Sequence, residues 1–194
     1  MALDSSNEAR RLGRRNFLGA LGAAAMLAVL PGIARAAHGE RSIRLLCPET
    51  GERFEGVYWS HGLYVPEALS RIDWLMRDFH RNRVAAIDPG LVDLMHSIAR
   101  GLETRQPISV FSGFRTRETN MALRHEGMPA ASNSEHLVAR AADIAIEGVS
   151  VARLHRLAVH LHAGGVGAYD HYVHVDTGPV RDWSYTPHSH HHPA

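Results

Sequence analysis

Lysine is absent from all 194 residues, so every one of the 21 basic side chains is an arginine. That excludes Schiff-base or lysine-nucleophile chemistry and leaves cations that are permanently charged and forked. Cysteine occurs once, at Cys47, between Leu46 and Pro48 at the end of an apolar run. A lone cysteine excludes an internal disulfide and a thiolate metal cluster, and Cys47 reads as a strand-end core residue. Excess charge of one sign is missing too. The 21 arginines face 20 acids, and residues 37–194 alone carry 16 against 18. Without a basic stripe, nucleic-acid binding is not expected. Nor is there a long apolar run: the uncharged stretch Leu18–Leu30 is too short to cross a bilayer.

That stretch has another use. Arg10-Arg11 and Arg14-Arg15 precede it, Pro31 closes it, and Ala34-Arg35-Ala36 puts small residues where a signal peptidase reads. The segment Arg14-Arg15-Asn16-Phe17-Leu18 resembles the twin-arginine export motif of bacteria. The expectation is a signal over residues 1–36, cleaved after Ala36, which places the mature protein in the periplasm with no transmembrane span. Residues 37–183 are then one domain, large enough for a core without staples, and a monomer is expected. Residues 184–194, with His188, His190, His191 and His192, read as a disordered tail.

Along the domain, Ser42–Leu46 and Arg53–Tyr58 read as strands joined by a turn at residues 48–52. A helix is expected from Pro66, with Leu69, Ile72, Leu75, Met76 and Phe79 at three- and four-residue spacing, ending at residues 80–83. Asp88-Pro89 opens a second helix whose apolar face is Leu91, Leu94, Met95, Ile98 and Leu102. Residues 107–111 form a strand, 115–126 a short polar helix and 127–135 a loop of small residues. A strand over 141–146, a helix from Ser150 to about His162, and a hairpin from 166 to 176 complete the pattern. Strands and helices so mixed, with turns too short for regular parallel crossovers, predict an α+β domain with an antiparallel sheet.

Chemistry concentrates in two segments, residues 134–143 and 172–176. Asp143 sits between Ala142 and Ile144 in a strand, where a charge is costly unless paired or bound to metal. His174 lies between Val173 and Val175, and Asp176 shares its strand face, placed to orient an imidazole. His136 lies in the loop leading to the first strand. Two imidazoles and a carboxylate with an open fourth position are a three-ligand zinc site that activates water, provided they converge. Read alone, each is a weak signal, since an isolated histidine between apolar residues is more often a hydrogen-bonded core residue than a ligand.

Taken together, Ser112-Gly113-Phe114-Arg115, Ser134-x-His136-x6-Asp143 and His174-Val175-Asp176 resemble the zinc-dependent M15 peptidoglycan peptidases. More closely they resemble the exported subfamily once known as DUF882, with murein endopeptidases of the YcbK type. Thr50-Gly51-Glu52, Pro66-Glu67-Ala68-Leu69, Asp88-Pro89, Gly164-Gly165-Val166-Gly167 and Thr177-Gly178 extend the likeness over nearly all of the domain. The resemblance implies an M15/LAS-type fold, a small sheet with flanking helices around a zinc cleft, and peptidoglycan peptide stems as the partner. It implies His136, Asp143 and His174 as zinc ligands, Arg115 on the scissile carbonyl, and Ser134 holding the loop that presents His136.

One element of the pattern is missing. Related enzymes commonly place Asp or Glu three residues before the last zinc histidine, as general base. Here that position is His171, with Asp170 one residue off, and either needs an irregular backbone to reach the site. Asp176 and the absence of any competent base are the remaining alternatives. The expected function is zinc-dependent hydrolysis of peptide bonds in peptidoglycan stems or cross-links. The competing one is an inactive, zinc-stabilised wall-binding module, and a metal carrier built on the histidine tail is the third.

Overall fold

The computed structural model describes residues 39–185, so the expected signal segment and the terminal histidine cluster lie outside the described residues. Eight strands form one sheet: β1 Arg41–Leu46, β2 Arg53–Ser60, β3 Leu63–Tyr64, β4 Ile108–Ser112, β5 Ala141–Ile146, β6 Gly165–Ala168, β7 Val173–Asp176 and β8 Arg181–Ser184. Their spatial order is β3-β2-β1-β4-β5-β7-β6-β8. Four α-helices accompany them: α1 Pro66–Leu75, α2 Pro89–Gly101, α3 Arg117–His125 and α4 Val151–His160. The α+β class holds. The sheet is larger than expected, and it is mixed, because β1 pairs with β4 and β6 with β8 in parallel.

Local chemistry sets most boundaries. Asp88 caps α2 by accepting a hydrogen bond from the Gly90 amide, with Pro89 in the first turn. Leu91, Val92, Leu94, Met95 and Ile98 of α2 are buried, each contributing roughly 1.5–3 kcal/mol of burial. Thr116 and Ser150 cap α3 and α4 through their hydroxyls. α1 stops at Leu75, short of the expected end at residues 80–83. The reason is tertiary: Asp78 leaves the helix to pair through its backbone with Arg83 and to accept, with its carboxylate, from the amide and hydroxyl of Thr116. Those contacts are available to Asp78 only outside a helix.

α2 packs on β1 and against α4, and α4 lies across β5, β6 and β7. Alternation then decides what faces the core. Ala142, Ile144, Val173 and Val175 join the hydrophobic cluster, while Asp143 and His174, directly paired across β5 and β7, turn to the opposite face. Among the described residues no helix is long and apolar enough to cross a membrane. Cys47 is buried, as its position predicts.

Candidate metal centre and cleft

Three backbone devices bring the ligands together. The register of β5 and β7 places Asp143 opposite His174. An irregularity between Val110 and Ser112 on β4 brings Ser112, rather than Phe111, opposite Asp143; bulges commonly re-aim a side chain beside a site in this way. A 3-10 turn at Glu135–Val138 delivers His136, with Ser134 at its N-cap and its hydroxyl accepting from the His136 amide at 3.4 Å. The turn ends at Ala139 in the left-handed region, φ 56°, and the strand begins two residues later.

The three donor atoms are Nε2 of His136, Oδ1 of Asp143 and Nδ1 of His174. They lie 3.3, 3.0 and 3.2 Å apart pairwise, and all three residues are buried. Bonds of about 2.0–2.1 Å to a tetrahedral zinc imply ligand atoms about 3.3 Å from each other, so these spacings fit the edge of a zinc tetrahedron. The donor set of two nitrogens and one carboxylate oxygen also suits zinc.

Second partners fix each donor. Nδ1 of His136 donates to the Gly113 carbonyl at 2.6 Å, leaving Nε2 unprotonated toward the centre. Nε2 of His174 donates to Oδ2 of Asp176 at 3.0 Å, leaving Nδ1 for metal. Asp143 turns its other oxygen, Oδ2, to Nη2 of Arg115, whose Nε donates to the Ser112 hydroxyl at 2.6 Å. Burial holds His136 below its ordinary pKa and therefore neutral, as a ligand must be. Burial opposes charge on Asp143, but the permanently charged Arg115 guanidinium at its Oδ2 outweighs it and keeps the carboxyl well below the usual range. For His174, burial is likewise outweighed, here by hydrogen bonds to Asp143 and Asp176, and the pKa rises.

The centre opens into a cleft of about 470 Å³, walled by Arg115, Glu135, Tyr169, Tyr172, Arg181 and Trp183 among others. A second cavity of about 330 Å³ adjoins it across Arg115, Asp143 and Tyr172, with Phe79, Phe111 and Met128 on its far side. The floor under β8 is glycine. A Cβ at Gly165 would run into Arg181 and Asp176, and one at Gly167 into the Trp183 ring.

The expected general bases lie away from the centre. Asp170 and His171 form the exposed tip of the β6–β7 hairpin, closed by the Tyr169 amide donating to the Tyr172 carbonyl at 3.0 Å, and neither lines the cleft. Strand alternation instead gives Tyr172 the face of His174, where its ring stacks on Tyr169 at 4.6 Å. Asp176 is fully buried and saturated, since it accepts from the amides of Gly165 and Gly178 and from Arg181 as well as from His174. It orients His174 and has no free oxygen for proton transfer. Sequence reasoning missed Glu135, Arg181 and Trp183 on the cleft wall. The short β8 that carries two of them has no hydrophobic period, and only the turn residues Gly178-Pro179 announce it.

A family model, Peptidase_M15_2, described as peptidoglycan L,D-endopeptidase MepK, matches residues 35–183. Peptidoglycan L,D-endopeptidase MepK of Escherichia coli strain K12 is 35% identical over 175 residues, spanning 88% of this chain and 96% of that protein. Probable peptidoglycan L,D-endopeptidase MepK of Haemophilus influenzae is 35% identical over 176 residues, spanning 88% and 95%. A solved structure, the Serratia marcescens L-Ala D-Glu endopeptidase ChiX, overlaps only in part. It shows 21% identity and a TM-score of 0.32, over 39% of this chain and 62% of that one.

Proposed function

The chain belongs to the Peptidase_M15_2 family of MepK-type peptidoglycan L,D-endopeptidases, and on that premise we propose that it hydrolyses peptide cross-links of peptidoglycan with a zinc ion held by His136, Asp143 and His174. The observation that carries this reading is the convergence of three oriented donors at zinc spacing in an open cleft. The second cavity beyond Arg115 and Tyr172 favours an internal bond over a terminal one, because it leaves room for chain on both sides of the centre.

Zinc bound there supplies a Lewis acid that polarises the scissile carbonyl and activates water near neutral pH. The protein does the rest. Arg115 steadies Asp143 through Nη2 and Ser112 through Nε, leaving Nη1, without a partner among the described residues, to receive the carbonyl oxygen as its charge grows. Burial raises the pKa of the Tyr172 hydroxyl, so it stays protonated and offers a permanent donor on the cleft wall. Glu135 is the cleft-lining carboxylate not committed to the triad, and it takes the role of proton acceptor that the sequence reading left open. Gly178 makes room for it, since a Cβ there would come 2.7 Å from its Oε1. Ser134 holds the turn that presents His136.

Export follows the same proposal. Residues 1–36 serve as a twin-arginine-type signal cleaved after Ala36, residues 37–183 as the peptidase domain acting as a monomer in the periplasm, and residues 184–194 as a histidine-rich tail. Incubating the zinc-loaded protein with cross-linked muropeptides tests the activity. New amines from the wild type but not from His174→Ala support it. No cleavage with retained wall binding supports the inactive module instead, a reading favoured by one observation, the displacement of Asp170 and His171 from the cleft.

A further inference from the structure

Arg181 is bound on one edge and open on the other. At the end of its guanidinium, Nη1 and Nη2 donate to Oδ1 and Oδ2 of Asp176 at 3.2 and 2.7 Å, and Nη1 donates again to the Pro179 carbonyl at 3.0 Å. A guanidinium has five N–H donors, and these three bonds use both on Nη1 and one on Nη2. The remaining two, Nε–H and the second Nη2–H, lie side by side on the same edge, and among the described residues they have no partner. This pair is the fork that matches a carboxylate bidentately. The side chain is 42% exposed and lines the metal cleft, so the unused edge is accessible to a bound molecule.

The residue is also fixed in place. Gly165 lies beneath it with no room for a Cβ, Asp176 holds its tip, and its charge sits 5.1 Å from the centre of the Trp183 ring. Trp183 in turn lies 5.4 Å from the ring of His174. A ligand reaching Arg181 therefore lies in the same cleft as the centre. Charge favours an anion there: with a divalent ion on the triad, Arg115 and Arg181 outweigh the carboxylates of Glu135, Asp143 and Asp176 by one.

We propose that Arg181 determines specificity by binding, through this open fork, a free carboxylate that the substrate carries beside its scissile bond. The inference rests on the peptidase reading of the site and adds the chemical group recognised. Arg181 also joins that carboxylate to the metal ligand His174 through Asp176, so recognition and ligand orientation share one chain of hydrogen bonds.

The test uses two peptides with the sequence of the released amine strand, one with a free carboxylate on the carbon bearing the new amine and one with that carboxylate amidated. Their affinities for zinc-loaded protein are measured by calorimetry, alongside zinc affinity and turnover of the parent cross-linked dimers. The wild type is expected to prefer the free carboxylate by roughly tenfold to a hundredfold, the worth of a charge-assisted bond. Arg181→Ala is expected to lose that preference. Arg181→Lys keeps a charge for Asp176 but not the fork, and is expected to hold zinc while losing most of the preference. Equal binding of the two peptides by the wild type, or an undiminished preference in both variants, overturns the proposal. Selective binding without turnover of the dimers removes the peptidase reading and leaves Arg181 as an anion site; turnover indifferent to amidation does the reverse.

Discussion

The carbonyl oxygen of Gly113 lies 2.6 Å from Nδ1 of His136, and that contact determines which ring nitrogen faces Asp143. Gly113 can stand there only because it has no side chain: a Cβ would strike the carbonyl oxygen of Met76, while the next residue, Phe114, donates its amide to that same oxygen at 2.8 Å. The turn after α1 thus sets the tautomer of a ligand sixty residues further on.

Gly113→Ala is accordingly expected to weaken zinc binding by about tenfold to a hundredfold, the usual cost of disturbing the partner of a ligating histidine. Competition against a chromophoric chelator measures it. Unchanged affinity would show that the Gly113 carbonyl does not orient His136.

Glu135→Gln removes the carboxylate of the assigned proton acceptor with little change of shape. The expected result is a kcat lower by roughly 10²–10⁴ with zinc content and KM preserved. Retained kcat would return proton transfer to solvent.

Asp78 offers a pH signature away from the metal. Burial opposes its charge, but hydrogen bonds from Thr119, Thr116 and Arg81 outweigh it and lower its pKa in the folded protein. A carboxyl with a depressed folded pKa contributes stability above its unfolded value, and that contribution disappears as pH falls through the folded one. Asp78→Ala is expected to cost roughly 1–3 kcal/mol at pH 7, from buried donors left without an acceptor. The gap to wild type should narrow in urea titrations below pH 4. A constant gap across that range would mean that packing, not charge, is what Asp78 supplies.

Helix α2 is capped by Leu102 and followed by Glu103, an exposed residue in the left-handed region at φ 54°, whose amide donates to the Arg100 carbonyl while the Thr104 amide donates to that of Ala99. Glycine is the residue such a cap favours, and the acid also faces the negative end of the helix dipole. Glu103→Gly is expected to stabilise the fold by about 1 kcal/mol, seen as a Tm higher by roughly 2–4 °C. A lower Tm would show that the Glu103 side chain makes a contribution of its own.

Much of this arrangement is legible in the chain because it rests on period and punctuation. The helices α2 and α4 announce themselves through Asp88-Pro89 and Ser150, and the β6–β7 hairpin through its alternating valines. The triad is legible because charge in an apolar strand needs an explanation, as at Asp143. What stays hidden depends on partners distant in sequence. The end of α1 is set by Thr116, the parallel pairing of β8 by a bare glycine strand, and the walls of the cleft by Tyr172 and Arg181, whose neighbours in sequence say nothing of the centre. The missing acid before His174 could be read, but not its consequence, since only the hairpin geometry shows that His171 points away from the cleft.

The glycines of β6 confine where this protein can diversify. Any side chain at Gly165 or Gly167 would displace Arg181 or Trp183, and one at Gly164 would meet the backbone of Asp176, so drift at those positions is closed to the lineage. New substrate preferences have to arise in the loop over residues 129–133, which lines the cleft and rests on none of these glycines. A library meant to retarget the enzyme belongs on that loop, with β6 and the residues it supports left untouched.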